Sequence, residues 1–253
     1  MGKTLTIAGK EYKTYFTGPV AYVVTGLFVF LMSWMFFQIL AAFAQRSPMM
    51  MMQGRGMSLN DYVFTPHFGN VNVVLLIMVP ALTMRLFAEE KKNRTMDLLM
   101  TSPLTATQIV LGKFIAGLFV VWTILATLGI YPLVTTLFAH FDKGPILTAL
   151  LGLALLSGVY VAIGVFASSL TENVIIAYFL AFVLELFFWV IGWASASMDG
   201  ATSQSVFNYL SIVSHFGDFT KGMIDVSAVV YYVTLMFFFC FLTQRVVESA
   251  RWR

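Results

Sequence analysis

Apolar and polar positions alternate along this chain on the scale of whole helices. Six stretches, about 19–44, 69–88, 109–138, 145–168, 173–194 and 226–243, are almost continuously apolar. Each meets or approaches the roughly 20 residues that a helix needs to cross a bilayer. Together they occupy over half the chain and leave no room for a folded soluble domain. The pattern therefore predicts an all-α integral membrane protein with six transmembrane helices, residues 1–253 forming one domain. Ahead of the first span, Leu5, Ala8, Tyr12, Tyr15 and Phe16 recur at helical spacing, with Lys10, Lys13 and Thr14 on other faces. This reads as a short interfacial helix, its lysines near lipid headgroups, and Gly18-Pro19 marks the bend into the membrane.

Polar interruptions within the spans are few. Pro80 in span 2 removes a backbone hydrogen bond, which makes it a hinge or a static packing bend. Span 4 carries the small residues Ala154, Gly158 and Ala162 at four-residue spacing, with Gly164 and Ser168 on an adjacent line. Such a stripe lets helix backbones approach closely, within the bundle or at a dimer seam. Glu185 is the one acidic residue deep within a span. A charge placed there costs on the order of 2.5–3.5 kcal/mol on insertion scales, so it should face the bundle interior. It could line a substrate path, act as a proton site, or hydrogen-bond a neighbouring helix.

Outside the spans, one segment stands apart. Between spans 2 and 3, Glu89, Glu90, Lys91, Lys92, Arg94 and Asp97 are packed into a chain that is only 11% charged. The segment then turns amphipathic, with Met96, Leu99, Met100 and Pro103 at three- and four-residue intervals. An orientation signal alone does not need that second property. It predicts a helix lying flat on the membrane that a protein in the water phase can grip. The far side offers Met49 to Met52 in the loop 45–67; thioethers can hold a monovalent copper ion, but no His or Cys lies in the cluster, and a flexible or lipid-touching loop is expected. The long segment 195–225 becomes apolar again from Val206, which suggests short helices returning towards the membrane. His67, His140 and His215 fall in outer loops at spacings that match no zinc motif, so no metal site is expected.

Composition and charge agree with this picture. The chain is 59% hydrophobic, with a mean hydropathy of +0.85, which excludes a soluble globular protein. If the N-terminus is inside, the inner segments hold eleven of the 15 Lys and Arg residues; only Arg46, Arg55, Lys143 and Lys221 lie outside. That asymmetry places both termini in the cytoplasm. The basic residues are accounted for by orientation, and no nucleic-acid partner is expected. Cys240, alone in the last span, has no intrachain disulfide partner. No HExxH, GxSxG or CxxC occurs, and GxxxxGK[ST] is absent as well: Gly112-Lys113 is followed by Phe114, and Gly2-Lys3-Thr4 has no phosphate loop before it. The chain has no recognisable catalytic or nucleotide site of its own.

Pro80 through Glu90, then Arg94-Thr95-Met96-Asp97-Leu98-Leu99 and Thr101-Ser102-Pro103-Leu104, resembles the type-2 ABC exporter permeases. Those read as an acidic-basic cluster, Gly-Thr, an acidic residue, two Leu and Pro. Ile109 to Phe114 continues the likeness into span 3. The closing run, Leu210-Ser211 through His215-Phe216, Gly222, Ile224-Asp225 and Tyr231-Tyr232, resembles the gliding-motility-associated, GldF-like branch. The resemblance implies a permease subunit of an exporter in the bacterial inner membrane, driven by two separate ATPase subunits that bind ATP and Mg. A second permease copy or a related permease would complete the pathway, with lipid around it and an auxiliary extracytoplasmic protein as a further partner. It further implies that Glu89, Glu90, Arg94, Thr95, Met96, Asp97, Leu98, Leu99 and Pro103 form the ATPase-coupling helix, whose shift moves spans 1, 2 and 5 at the subunit interface. The family's usual Gly before Thr95 is Arg94 here. Either the turn into the coupling helix is made differently, or Arg94 contacts an acidic partner surface. A proton-coupled secondary transporter built on Glu185 is the alternative reading.

Overall fold

Pro19 opens the first spanning helix, and the sequence punctuates most later ones with similar clarity. A computed structural model of the chain describes residues 2–52, 58–96, 101, 104–195 and 201–250. Its helices are α1 (Gly2–Thr17), α2 (Pro19–Met52), α3 (Thr65–Thr83), α4 (Arg85–Lys92), α5 (Ala106–Ala126), α6 (Ile130–Thr135), α7 (Gly144–Leu170), α8 (Val174–Ser195), α9 (Ala201–Leu210), α10 (Ile212–Thr220) and α11 (Val226–Ala250). A π-helical turn, Asn60–Phe64, leads into α3, and a 3-10 turn, Thr127–Gly129, joins α5 to α6. No strand occurs among the described residues.

Local chemistry fixes several boundaries. Thr105 and Gln108 form a reciprocal capping box at the start of α5, with bonds of 3.2 and 3.3 Å, which satisfies two backbone donors that the first turn leaves open. Asn173 Oδ1 accepts from Ile175 N at 2.9 Å to open α8, and Ser211 Oγ caps α10. Pro145 occupies the first turn of α7, where its missing N–H is no loss.

Six segments are long and apolar enough to span a bilayer: Pro19–Met50, Asn60–Lys92, Ala106–Thr135, Gly144–Leu170, Val174–Trp193 and Val226–Ser249. This makes the chain an all-α integral membrane protein. The fourth segment, α7, is the axis of the bundle. It packs against α3, α5, α8, α10 and α11, and every residue from Leu156 to Val165 is buried. Two glycines set its closest crossings. A Cβ at Gly158 would lie 2.7 Å from Met236 Sδ on α11, and one at Gly164 would lie 2.7 Å from Thr83 Cβ on α3. Both values are shorter than carbon or sulfur contacts allow. Gly158 and Ala162 are therefore spent on contacts inside this one chain, while Ala154 lends its carbonyl to Trp122 Nε1 at 3.1 Å. At the periphery, the apolar windows of α2 and α8 are only 11% and 22% buried, which leaves their faces to lipid or to other subunits.

Some expected boundaries move. The Met49–Met52 run belongs to α2 rather than to a loop, with Met49 69% and Met52 90% exposed. Ala41 to Arg46 are mostly good helix formers, and Pro48 alone does not stop the helix. At about 1.5 Å per residue, the 34 residues of α2 span about 51 Å, well beyond the roughly 30 Å of hydrocarbon. His67 and His215 lie in helices α3 and α10 rather than in loops. His67 is fully buried, 5.0 Å from the Phe36 ring and 4.7 Å from that of Tyr131. His215 stacks on Tyr231 at 4.1 Å. Among the described residues, no three His, Cys, Asp or Glu side chains gather as a metal site. In segment 195–225, α10 turns back onto α7 and buries Ile212, Phe216 and Phe219. Tyr232 Oη donates to Ile212 O at 2.9 Å, and Thr148 Oγ1 to Phe219 O at 2.6 Å.

Candidate functional site

The second span does not run unbroken into the charged island. Pro80 cannot donate a backbone hydrogen bond, and four residues later the helix stops at Met84 and restarts as α4. Thr83 Oγ1 folds back onto Val79 O at 2.9 Å, a contact that often accompanies bends in helices. The break leaves the first N–H groups of α4 without helical partners. Ser168, at the end of α7, supplies them. Its Oγ accepts from Phe87 N at 2.9 Å and from Ala88 N at 3.0 Å, and donates to Met84 O at 2.9 Å. The hydroxyl is fully buried and uses its whole capacity of one donor and two acceptors. One residue on, Ser169 O accepts from Lys91 Nζ at 2.5 Å.

A second tie crosses from α5. Lys113 Nζ lies 2.7 Å from Glu90 Oε1 on α4 and 3.2 Å from Glu11 Oε1 on α1. It also sits 5.1 Å from the centroid of the Phe87 ring. The Lys113 side chain is 1% exposed and the two carboxylates 18% and 19%. A cation so placed needs partners of opposite charge, and this one joins three helices at one point. Tyr15 adds a tie from α1, with its hydroxyl donating to Leu82 O at 2.5 Å. Burial first, then the neighbouring Glu11 carboxylate, pushes the Tyr15 phenol upward. It therefore stays protonated and keeps donating.

At its far end α4 closes with a Schellman turn. Arg94 N donates to Lys91 O at 3.1 Å and Thr95 N to Glu90 O at 3.0 Å, the pair of bonds that defines this cap. Arg94 occupies its left-handed position with φ of 55°. The family-like glycine site thus keeps the backbone conformation that glycine favours, although it holds an arginine. An L-residue is held in this left-handed position at a cost of roughly 1–2 kcal/mol.

The expected coupling residues separate in space. Lys92, Asn93, Arg94 and Thr95 are exposed. Glu89 is exposed and lines a cavity beneath α1. Glu90, expected on a polar rim, is instead turned inward onto Lys113. Met96, expected to fill a partner's cleft, is 5% exposed and belongs to the chain's own core. Asp97, Leu98, Leu99 and Pro103 lie outside the described residues. Pro80 is buried in α3. Glu185, on α8, is fully buried, and among the described residues neither of its oxygens has a hydrogen-bond partner; Trp189 Nε1, one turn on, has none among them either. Lys113, Glu11 and Ser168 were missed as site residues. Lys113 did carry a signal, since it is a lone cation in the apolar run of span 3.

The model of the ABC-2 family transporter protein matches residues 5–246. The chain belongs to the ABC-2 transporter family. No curated protein matches it. As an ABC-2 permease it is a multi-pass membrane transport subunit and not itself a nucleotide-binding enzyme, and the family implies an ABC ATPase as its partner. In this ABC-2 chain the junction of α1, α4, α5 and α7 is the place where the membrane bundle holds its one strongly charged connecting segment.

Proposed function

We propose that this ABC-2 permease serves an exporter in which two separate ATPase subunits hold ATP and Mg, and that the segment from Glu89 to Pro103 is where they push. The observation that carries the reading is the double anchoring of α4. Ser168 holds its start to α7 and Lys113 holds its middle to α5 and α1. A force applied beyond Arg94 would therefore pass into spans 3 and 4 instead of being lost in a loose loop. Exposed Lys92 to Thr95 supply a polar rim, and Leu99 and Pro103 follow as apolar contacts of the helix-in-groove kind. A second permease copy, or a related permease, is expected against the exposed apolar faces of α2 and α8. In this reading the subunit sits in the bacterial inner membrane with both termini cytoplasmic, as the asymmetry of its basic residues supports, and the likeness of its closing run supports a role in gliding motility.

The test is co-purification with the ABC ATPase that pairs with this permease. Asp97→Lys and Leu99→Glu together should abolish recruitment while the permease still inserts. Undiminished recruitment overturns the reading. Glu185, buried and without a hydrogen-bond partner among the described residues, favours one second reading, proton-coupled secondary transport. That alternative requires transport that follows a pH gradient and continues without nucleotide.

A further inference from the structure

We propose that the cavity between α1, the start of α2 and the α3–α4 junction binds the headgroup of an amine-bearing zwitterionic phospholipid, of the phosphatidylethanolamine class. The cavity measures about 220 Å³ and is lined by residues of α1, α2, α3 and α4, among them Glu11, Tyr15, Val20, Leu82, Arg85 and Glu89. It is smaller than the roughly 300–1,000 Å³ of sites that engulf a drug-sized ligand, which suits a headgroup better than a whole amphiphile.

Its walls divide by chemistry. Glu11 and Tyr15 are one turn apart on α1, and Arg85 and Glu89 one turn apart on α4, so each pair shares a helix face. Glu11, Tyr15, Arg85 and Glu89 all line this one cavity. Arg85 forms no ion pair among the described residues, nor does Glu89, whereas Glu11 shares Lys113 with Glu90. Glu90 is further offset by the nearby Lys10, whereas Glu89 has no cation paired to it among the described residues. A bare phosphate would be matched by Arg85 but would meet uncompensated Glu89. A phosphate carrying its own ammonium group satisfies both, the guanidinium holding the phosphate and Glu89 the amine.

The lining contributed by α2 and α3 is apolar, and it continues along the spans. Val20 leads by helical steps to Val23 and Leu27, both 57% exposed. Ala81, which also lines the cavity, leads to Ile77 and Val73, which are 53% and 43% exposed. Two apolar tracks therefore leave the charged pocket in the membrane direction, as acyl chains attached to the headgroup require. This continuity favours a lipid over a soluble phospho-amine.

The test uses the full-length protein in nanodiscs of equal phosphatidylethanolamine, phosphatidylcholine and phosphatidylglycerol, with retained lipid counted by native mass spectrometry after release. Wild type should retain the ethanolamine lipid roughly tenfold over the other two. Glu89→Gln should remove that preference but keep phosphatidylglycerol bound, and Arg85→Gln should lower retention of all three. Both side chains sit on an accessible wall, so folding should survive. A photoactivatable phosphatidylethanolamine on the unaltered protein gives a second readout and should label α1 or α4. Equal retention of the three lipids by wild type, an unchanged pattern in both variants, or labelling elsewhere overturns the proposal. Displacement by free O-phosphoethanolamine overturns the lipid assignment as well.

Discussion

Replacing Lys113 by Met should release α1 and α4 from the bundle without unfolding it. At an effective dielectric of 20, charges as close as 2.7 and 3.2 Å attract by on the order of 5–6 kcal/mol each. Most of that is offset by taking the ammonium out of water. Removing one member of a buried ion pair nevertheless costs roughly 3–5 kcal/mol, because the partners remain. Here Glu11 and Glu90 are 18% and 19% exposed, and water can reach them in part, so about 3 kcal/mol is expected. If that loss falls on the local docking of α1, amide exchange across residues 4–17 should speed up about a hundredfold, with the turn Phe87–Lys91 following and α7 unchanged. Hydrogen–deuterium exchange of the protein in nanodiscs measures this. The triple variant Lys113→Met, Glu11→Gln, Glu90→Gln should recover most of the protection, since neutral groups no longer repel. Unchanged exchange in α1 on removing Lys113 alone would refute the reasoning.

Other consequences can be checked on the same preparation. Arg94→Gly should stabilise the end of α4 by about 1 kcal/mol by relieving its left-handed backbone, seen as slower exchange of Asn93 to Thr95, while Arg94→Val should do the opposite. Ser168→Ala strips partners from Phe87 N, Ala88 N and Met84 O and should cost about 1–3 kcal/mol, read as a lower melting temperature that Ser168→Thr partly restores. Gly164→Ala drives a methyl into Thr83 and should cost about 1–3 kcal/mol. Adding Thr83→Ala removes the Oγ1 that the methyl would meet first but leaves Cβ at 2.7 Å, so only part of that loss should return, measured by the same melt.

The six spans were legible because membrane insertion imposes one simple demand, a long apolar run, and the chain meets it with few exceptions. The same simplicity hid the joints. Lys113 reads as one basic residue at the start of a span until α1 and α4 are seen to bring carboxylates to it from 102 and 23 positions away. Ser168 lies on a stripe whose small size was evident, but its hydroxyl mattered through a break 84 residues earlier. Nothing local announces such a pairing. Met96 was misjudged for a related reason: amphipathic spacing says that a face is apolar, not whether it is buried against a partner or against its own chain. Arg94 worked the other way. An odd residue in a turn-forming position was visible in the sequence, and the backbone there proved unusual.

The hydroxyl of Ser168 has no bonding capacity in reserve. Sliding or rotating α4 against α7 by part of a turn must break the three hydrogen bonds that meet at this one hydroxyl. The joint therefore behaves as a detent rather than a spring. It would hold through small thermal excursions and, under the proposed load on the segment beyond Arg94, let go of all three bonds together.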